Sequence, residues 1–145
     1  MNKRHAAQDR RIERWQHLPM LGGCTRRQLL EVDELGTQAN VSAGRRLTLE
    51  GSAGRECFLV LAGSAAARRG EDPVGTVTSG TMAGELALLD GTIRTATVVT
   101  DTPMHVVVYT PSEFRHLLRI APCIEDEVEA VAQLRRVELA AATGR

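Results

Sequence analysis

The sequence predicts a single α+β domain, a β-sandwich or barrel with helices before and after it in the chain. Two observations carry this. From Val41 to Tyr109, short β-branched and apolar runs recur, separated by glycines at intervals of roughly ten residues. On either side of that stretch the apolar residues recur at helical spacing instead. At 145 residues the chain has room for one such domain and little more.

Residues 3–14 are polar and helix-permissive, and Ile12 and Trp15 are the large apolar residues of that region. Thr25 suits a helix N-cap, and Gln28 completes a capping box with it. Leu29, Leu30, Val32 and Leu35 follow, with Gly36 the expected stop. The expected strands include Val41, Arg46-Leu47-Thr48-Leu49-Glu50, Cys57-Phe58-Leu59-Val60-Leu61, Val74-Gly75-Thr76-Val77, Thr95-Ala96-Thr97-Val98-Val99 and His105-Val106-Val107-Val108-Tyr109. Ser64-Ala65-Ala66-Ala67 has weak strand propensity and joins the sheet by position alone. Pro111 suits a first helical turn, with Phe114, Leu117, Leu118 and Ile120 on one face and Pro122 as the breaker. A last helix over residues 124–142 spaces Ile124, Val128, Val131, Leu134 and Leu139 along one stripe.

Lys+Arg and Asp+Glu both count 18, so the net charge is zero, unlike that of a general polyanion binder. Aromatics are 3%, too few for base-stacking platforms. Three cysteines without CxxC spacing fit neither a disulfide framework nor a zinc site, and suit a reducing cytoplasm. His105 and His116 form no His-x-His pair, which argues against a metal-binding barrel. The first residues hold no apolar run of signal-peptide type, and no stretch approaches the ~20 apolar residues of a membrane span. A soluble, cytoplasmic protein is expected. Arg10, Arg11 and Arg14, with Asp9 and Glu13 between them, read as a solvated helix face.

The chemistry concentrates in Gly84-Glu85-Leu86-Ala87-Leu88-Leu89-Asp90-Gly91-Thr92-Ile93-Arg94-Thr95-Ala96-Thr97. A glycine opens an apolar run long enough for one or two helical turns, whose free N–H groups attract an anion. After a tight turn Arg94 offers a planar fork for two phosphate oxygens. Small residues behind it let backbone N–H groups approach a ligand. An acid at Glu85 suits a ribose hydroxyl, the role acids play in dinucleotide sites. A phosphate and a free 2′-hydroxyl held close together describe a nucleotide, and a singly charged cyclic phosphate suits a single arginine. The plain alternative is a surface ion pair between Glu85 and Arg94, worth little. Leu86, Leu88 and Leu89 read as core packing, and Thr95 as either a ligand contact or a strand residue.

At Gly84-Glu85-Leu86-Ala87-Leu88 and Arg94-Thr95-Ala96-Thr97 the sequence closely resembles the phosphate-binding cassette of the cyclic-nucleotide-binding family. That family includes catabolite-activator regulators, regulatory subunits of cyclic-nucleotide-dependent kinases, and nucleotide-gated channels. Glu85 and Arg94 have the kinase-subunit spacing, and Gly44, Gly51, Gly54, Gly63 and Gly80 resemble the family's glycine framework. The resemblance covers residues 18–118. It implies an eight-stranded β-jelly roll (a double-stranded β-helix) flanked by N-terminal and C-terminal helices, with no catalytic residue, metal or cofactor and with cAMP or cGMP as ligand. It implies that Glu85 accepts the ribose 2′-hydroxyl and Arg94 pairs with the cyclic phosphate. Gly84, Leu86 and Ala96 supply backbone contacts, and Thr95 a hydroxyl. Ile93 replaces the usual proline and Ala83 a common aromatic.

The expected division is an N-terminal helical segment over 1–17, the cyclic-nucleotide-binding domain over 18–120, and a C-terminal helix over 121–145 that packs on the barrel, pairs with a second subunit as a homodimer, or acts as a lid. The expected function is a non-enzymatic sensor that signals through this helix to an unknown effector protein, with no membrane partner. The residues after Pro122 are too few for a winged DNA-reading element. The alternatives are a ligand-free interaction module of the same fold and a truncated relative of a cyclic-nucleotide-dependent transcription regulator.

Overall fold

A computed structural model describes residues 3–143. In chain order it has α1 (Lys3–Trp15), a 3₁₀ turn (Pro19–Leu21), α2 (Arg26–Leu35), β1 (Thr37–Val41), β2 (Arg46–Thr48), β3 (Cys57–Ala62), β4 (Ala65–Arg69), β5 (Asp72–Val77), β6 (Met82–Ala83), α3 (Glu85–Asp90), β7 (Thr97–Thr100), β8 (Met104–Tyr109), α4 (Pro111–Ile120) and α5 (Pro122–Thr143). The strands form two four-stranded antiparallel sheets, ordered β1-β8-β3-β6 and β2-β7-β4-β5. This is the jelly roll with flanking helices. The weak Ala65–Ala67 run is β4, paired in register with both β5 and β7. Among the described residues no helix is long and apolar enough to cross a membrane.

The first sheet is covered on both faces, and the alternation of β3 and β8 shows it. Cys57, Leu59, Val107 and Tyr109 point into a core shared with the helices, whereas Phe58, Val60, Val106 and Val108 point between the sheets. A strand buried on both sides needs apolar residues at every position, which is why Cys57-Phe58-Leu59-Val60-Leu61 shows no polar alternation. The second sheet buries only its inner face, through Ala65, Ala67, Val77 and Val98.

Helix ends follow local chemistry. Thr25 caps α2 and Gln28 completes the box; Thr110 and Glu113 do the same for α4. Pro122 ends α4 and itself starts α5, two residues before the expected Ile124. Gly36 ends α2, but with φ −98° and ψ −178° it is extended rather than left-handed. Its role is proximity, since a β-carbon there would stand 2.5 Å from Val107 Cγ1 and 2.7 Å from Tyr109 Cε1. Tyr109 donates its hydroxyl to Val32 O at 2.9 Å, fixing β8 to α2.

Helix α1 docks through Ile12 and Trp15, both buried, each worth roughly 1.5–3 kcal/mol. The expectation of a wholly solvated basic face needs correction. Arg11 turns inward and holds Asp33 of α2 with two hydrogen bonds, at 3.1 and 2.8 Å. Gln8 and Gln38 also donate to Asp33, and Gln38 pairs in turn with His105. Burial alone would raise the Asp33 pKa, but the Arg11, Gln8 and Gln38 hydrogen bonds overcome it and hold the carboxyl below its usual value near 3.8.

Two outcomes follow from this packing. Gly36→Ala is expected to destabilise the chain by about 1–3 kcal/mol in urea unfolding, because a methyl group has no room between Val107 and Tyr109. Because the folded-state pKa of Asp33 is depressed, its contribution is complete above the unfolded-state value and is lost as pH falls through the lower folded-state value. Asp33→Asn is expected to be less stable than wild type at pH 7 and to lose less stability on acidification from roughly pH 5, read as unfolding midpoints across pH.

Candidate functional site

Segment 84–97 folds as a glycine, a short helix, a turn and a return strand. Gly84 caps α3 with φ +84° and ψ 4°, a left-handed geometry, and a β-carbon there would stand 2.6 Å from Arg94 Nη1. Conformation and space therefore both require glycine. Glu85 opens α3, and Gly91 closes it with its N–H donated to Ala87 O.

Arg94 is tied down at both ends. Its N–H donates to Ser52 O at 2.8 Å, and its carbonyl accepts from Gly51 N at 2.9 Å. Its side chain runs beneath the cassette, Nη1 donating to Gly84 O at 2.9 Å and Nη2 to Glu56 O at 2.5 Å. These bonds engage two of the five donors of a guanidinium fork. Burial lowers its pKa, and the neighbouring Cys57, Glu56 and Glu85 offset part of that. An arginine so placed stays charged.

Glu85 is 1% exposed. Arg135 of α5 donates from Nη1 to Oε1 at 2.5 Å and to Oε2 at 2.6 Å. Burial, the largest influence, raises the Glu85 pKa against the pull of Arg135, its own backbone N–H and Arg94. The surface-pair alternative is thereby overturned: Glu85 and Arg94 are both buried, and other groups hold each of them.

Thr95 and Ala96 lie ahead of β7, which starts at Thr97 rather than at Thr95. Ala96 O accepts from Thr48 Oγ1 at 2.9 Å, and Thr97 Oγ1 accepts from Glu50 N at 3.0 Å. These two bonds stitch the cassette to β2 and the turn after it. The Thr97 hydroxyl is thus committed to the scaffold.

Gly84, Glu85, Leu86, Arg94, Thr95 and Ala96 all line one cavity of about 540 Å³, its open mouth included. Val74, Gly75 and Thr76 of β5 form the facing wall, and Arg135, Glu138 and Leu139 of α5 reach into it. Leu86 therefore packs and lines at once, buried in the fold with part of its surface on the cavity. A cationic fork and a carboxylate in one half, with a largely apolar wall opposite, can hold a small anion that carries a hydroxyl and a flat apolar part. Among the described residues no group of three His, Cys, Asp or Glu side chains could hold a metal ion.

The sequence reading left the last helix open as a packing helix, a dimer helix or a lid, and gave Arg135 and Glu138 no part in the cavity. Ile124 and Val128 are fully buried, but Leu134, placed on the same stripe, is 59% exposed. The inward line runs instead through Ile124, Val128, Ala132, Arg135 and Leu139, so the stripe carries a charge in its middle. That interruption was the available signal: a lone arginine in phase with an apolar face needs a buried acid.

A family model described as the cyclic nucleotide-binding domain matches residues 38–120. The cAMP-dependent protein kinase regulatory subunit of Neurospora crassa is 34% identical over 105 residues, 71% of this chain and 27% of that protein. The chain thus spans about a quarter of that relative's length. Among solved structures, a PKAR CBD2 with bound Sp-2Cl-cAMPS superposes with a TM-score of 0.82 at 22% identity, covering 99% of this chain and 95% of that one. The regulatory subunit of a cAMP-independent protein kinase A from Trypanosoma brucei superposes with a TM-score of 0.73 at 20% identity, over 88% of this chain and 49% of that one. At such identities the structures show the shared fold. The matched family model places the chain in the cyclic-nucleotide-binding domain family.

The Glu85–Arg135 pair can be tested directly. Removing one partner of a buried ion pair costs about 3–5 kcal/mol, and the 19% exposure of the Arg135 side chain brings the expected loss for Arg135→Ala to about 2–3 kcal/mol in urea unfolding. Adding Glu85→Gln to that variant is expected to recover much of the loss, because no unpaired buried charge then remains.

Proposed function

We propose that this chain is a non-catalytic sensor that binds cAMP or cGMP in the cavity between segment 84–97 and α5. The observation that carries the reading is the convergence of Glu85 and Arg94, both buried, on one cavity that β5 faces and α5 edges. In this reading Arg94 pairs with the cyclic phosphate through the donors that the carbonyls of Gly84 and Glu56 do not take, and those carbonyls aim the fork. Glu85 accepts the ribose 2′-hydroxyl. Gly84, Leu86 and Ala96 present backbone groups, Thr95 its hydroxyl, and the purine lies against β5 and Leu139.

Residues 18–120 form the binding unit, residues 1–17 an accessory helix, and residues 121–145 the lid. Arg135 holds both Glu85 oxygens, so a ribose hydroxyl has to share or displace that contact. Binding therefore biases the position of α5 to the extent that the ligand prefers one position over another. The helix then reports to an effector in the cytoplasm, and the homology to a kinase regulatory subunit favours a kinase. A homodimer would pack through Leu134 and Val137, which α5 leaves exposed.

A second reading is a module of the same fold that acts without nucleotide. The engagement of both Glu85 oxygens by Arg135 favours it, and it would make the ion pair a permanent strut. The two readings separate in thermal unfolding with cAMP and with cGMP. At ~100-fold saturation a ligand specific for the folded state adds about 2.7 kcal/mol, a shift of several degrees at this length. Arg94→Lys keeps the charge but not the fork, and is expected to weaken binding about ten- to hundredfold while its nucleotide-free midpoint reports any scaffold damage. No shift with either nucleotide establishes the ligand-free module.

A further inference from the structure

Outside the cavity, the chemistry left unassigned lies at the root of α5. Cys24 immediately precedes the N-cap of α2, and Cys123 is the second residue of α5. They are free thiols whose Sγ atoms lie 3.0 Å apart although 99 positions separate them in sequence. Gly23 allows this approach, since a β-carbon there would stand 3.3 Å from Cys123 Cβ. Cys24 is buried and Cys123 half-buried, so a reagent reaches the pair through Cys123. Cys57, the remaining cysteine, is enclosed in β3 on the helix-facing side of the sheet.

We propose that Cys24 and Cys123 are a reversible disulfide pair, a thiol switch that staples the first turn of α5 to the segment ahead of α2. A disulfide is ~2.05 Å long, so the sulfurs need to approach by about 1 Å. The oxidant is a low-molecular-weight disulfide such as glutathione disulfide. The Cys123 thiolate attacks one of its sulfurs and expels a glutathione thiolate. The Cys24 sulfur then attacks Cys123 Sγ and expels the second glutathione, while the Cys24 proton passes to the departing sulfur. The two protein thiols are oxidised and one glutathione disulfide is reduced to two thiols, so the step balances. Burial raises the Cys24 thiol pKa, and the greater exposure of Cys123 assigns the first attack to it. The bond anchors the helix whose later turns carry Arg135, Glu138 and Leu139 to the cavity. The switch itself does not depend on which ligand that cavity takes.

The test uses the full chain, incubated with glutathione disulfide and then with dithiothreitol. Thiol titration is expected to fall from three free thiols per chain to one in the monomeric fraction and to return on reduction. Peptide mapping is expected to join the Cys24 and Cys123 peptides, and amide exchange across α5 to slow in the oxidised form. Cys57→Ser is expected to bridge like wild type, and Cys24→Ser and Cys123→Ser not to bridge at all. Three thiols persisting, a stable glutathione adduct on Cys123 without a bridge, a link through Cys57, or α5 exchange unchanged by the bridge would each overturn the proposal.

Discussion

The sheet β1-β8-β3-β6 has to be covered on both faces, and the placement of α1, α2, α4 and the start of α5 follows from that requirement. β3 and β8 carry apolar side chains at successive positions, so one set closes against the second sheet while the other needs a separate cover. Ile12 and Trp15 of α1, Leu29 and Val32 of α2, Phe114 and Leu117 of α4, and Ile124 and Val128 of α5 supply it. Leaving such a face in water would forfeit on the order of 25 cal/mol for each Å² exposed. Because α5 is anchored at its start by this core and runs on toward β5, its later turns cross the cavity edge.

The cavity then concentrates charge where water is scarce. A buried arginine and a buried glutamate are costly unless each is met by a partner of fixed geometry. The fold does not pair them with one another. Arg94 receives two carbonyl dipoles, which steady it without neutralising it, and Glu85 receives the cation of a different helix. One charge is thus part of the scaffold and remains available to an anion. The other is engaged by a different helix, whose Arg135 and Arg136 meet the acids of segment 84–97. The Arg136–Asp90 pair at 2.6 Å lies at the surface, where such contacts contribute little. Glu85 is therefore the main polar tie between α5 and the cassette.

Much of this was legible in the residues, and the misses have physical causes. The Thr25 helix start could be read because a capping box is a contact between near neighbours in the chain. The Ala65–Ala67 run could be placed only by position, since alanine has little strand preference and β4 is held by β5 and β7 on its two sides. Gly36 stops its helix as expected, but glycine is required there because Val107 and Tyr109 occupy the space a side chain would need. Arg11 read as a solvated charge because Asp33, which holds it, lies in another helix.

By itself the sequence determined the α+β class and the alternation of helical and strand segments, which rest on periodicity within short stretches of chain. The grouping of Gly84, Glu85, Leu86, Arg94, Thr95 and Ala96, which line one cavity, was implied by the resemblance of a contiguous cassette to a known family. Only the tertiary structure decided what holds each charge: the carbonyl of Glu56 on Arg94, Arg135 on Glu85, and Cys123 against Cys24. These are contacts between residues 38, 50 and 99 positions apart. Such pairings follow from how the covered sheet and its helices close on one another, and no local pattern encodes that closure.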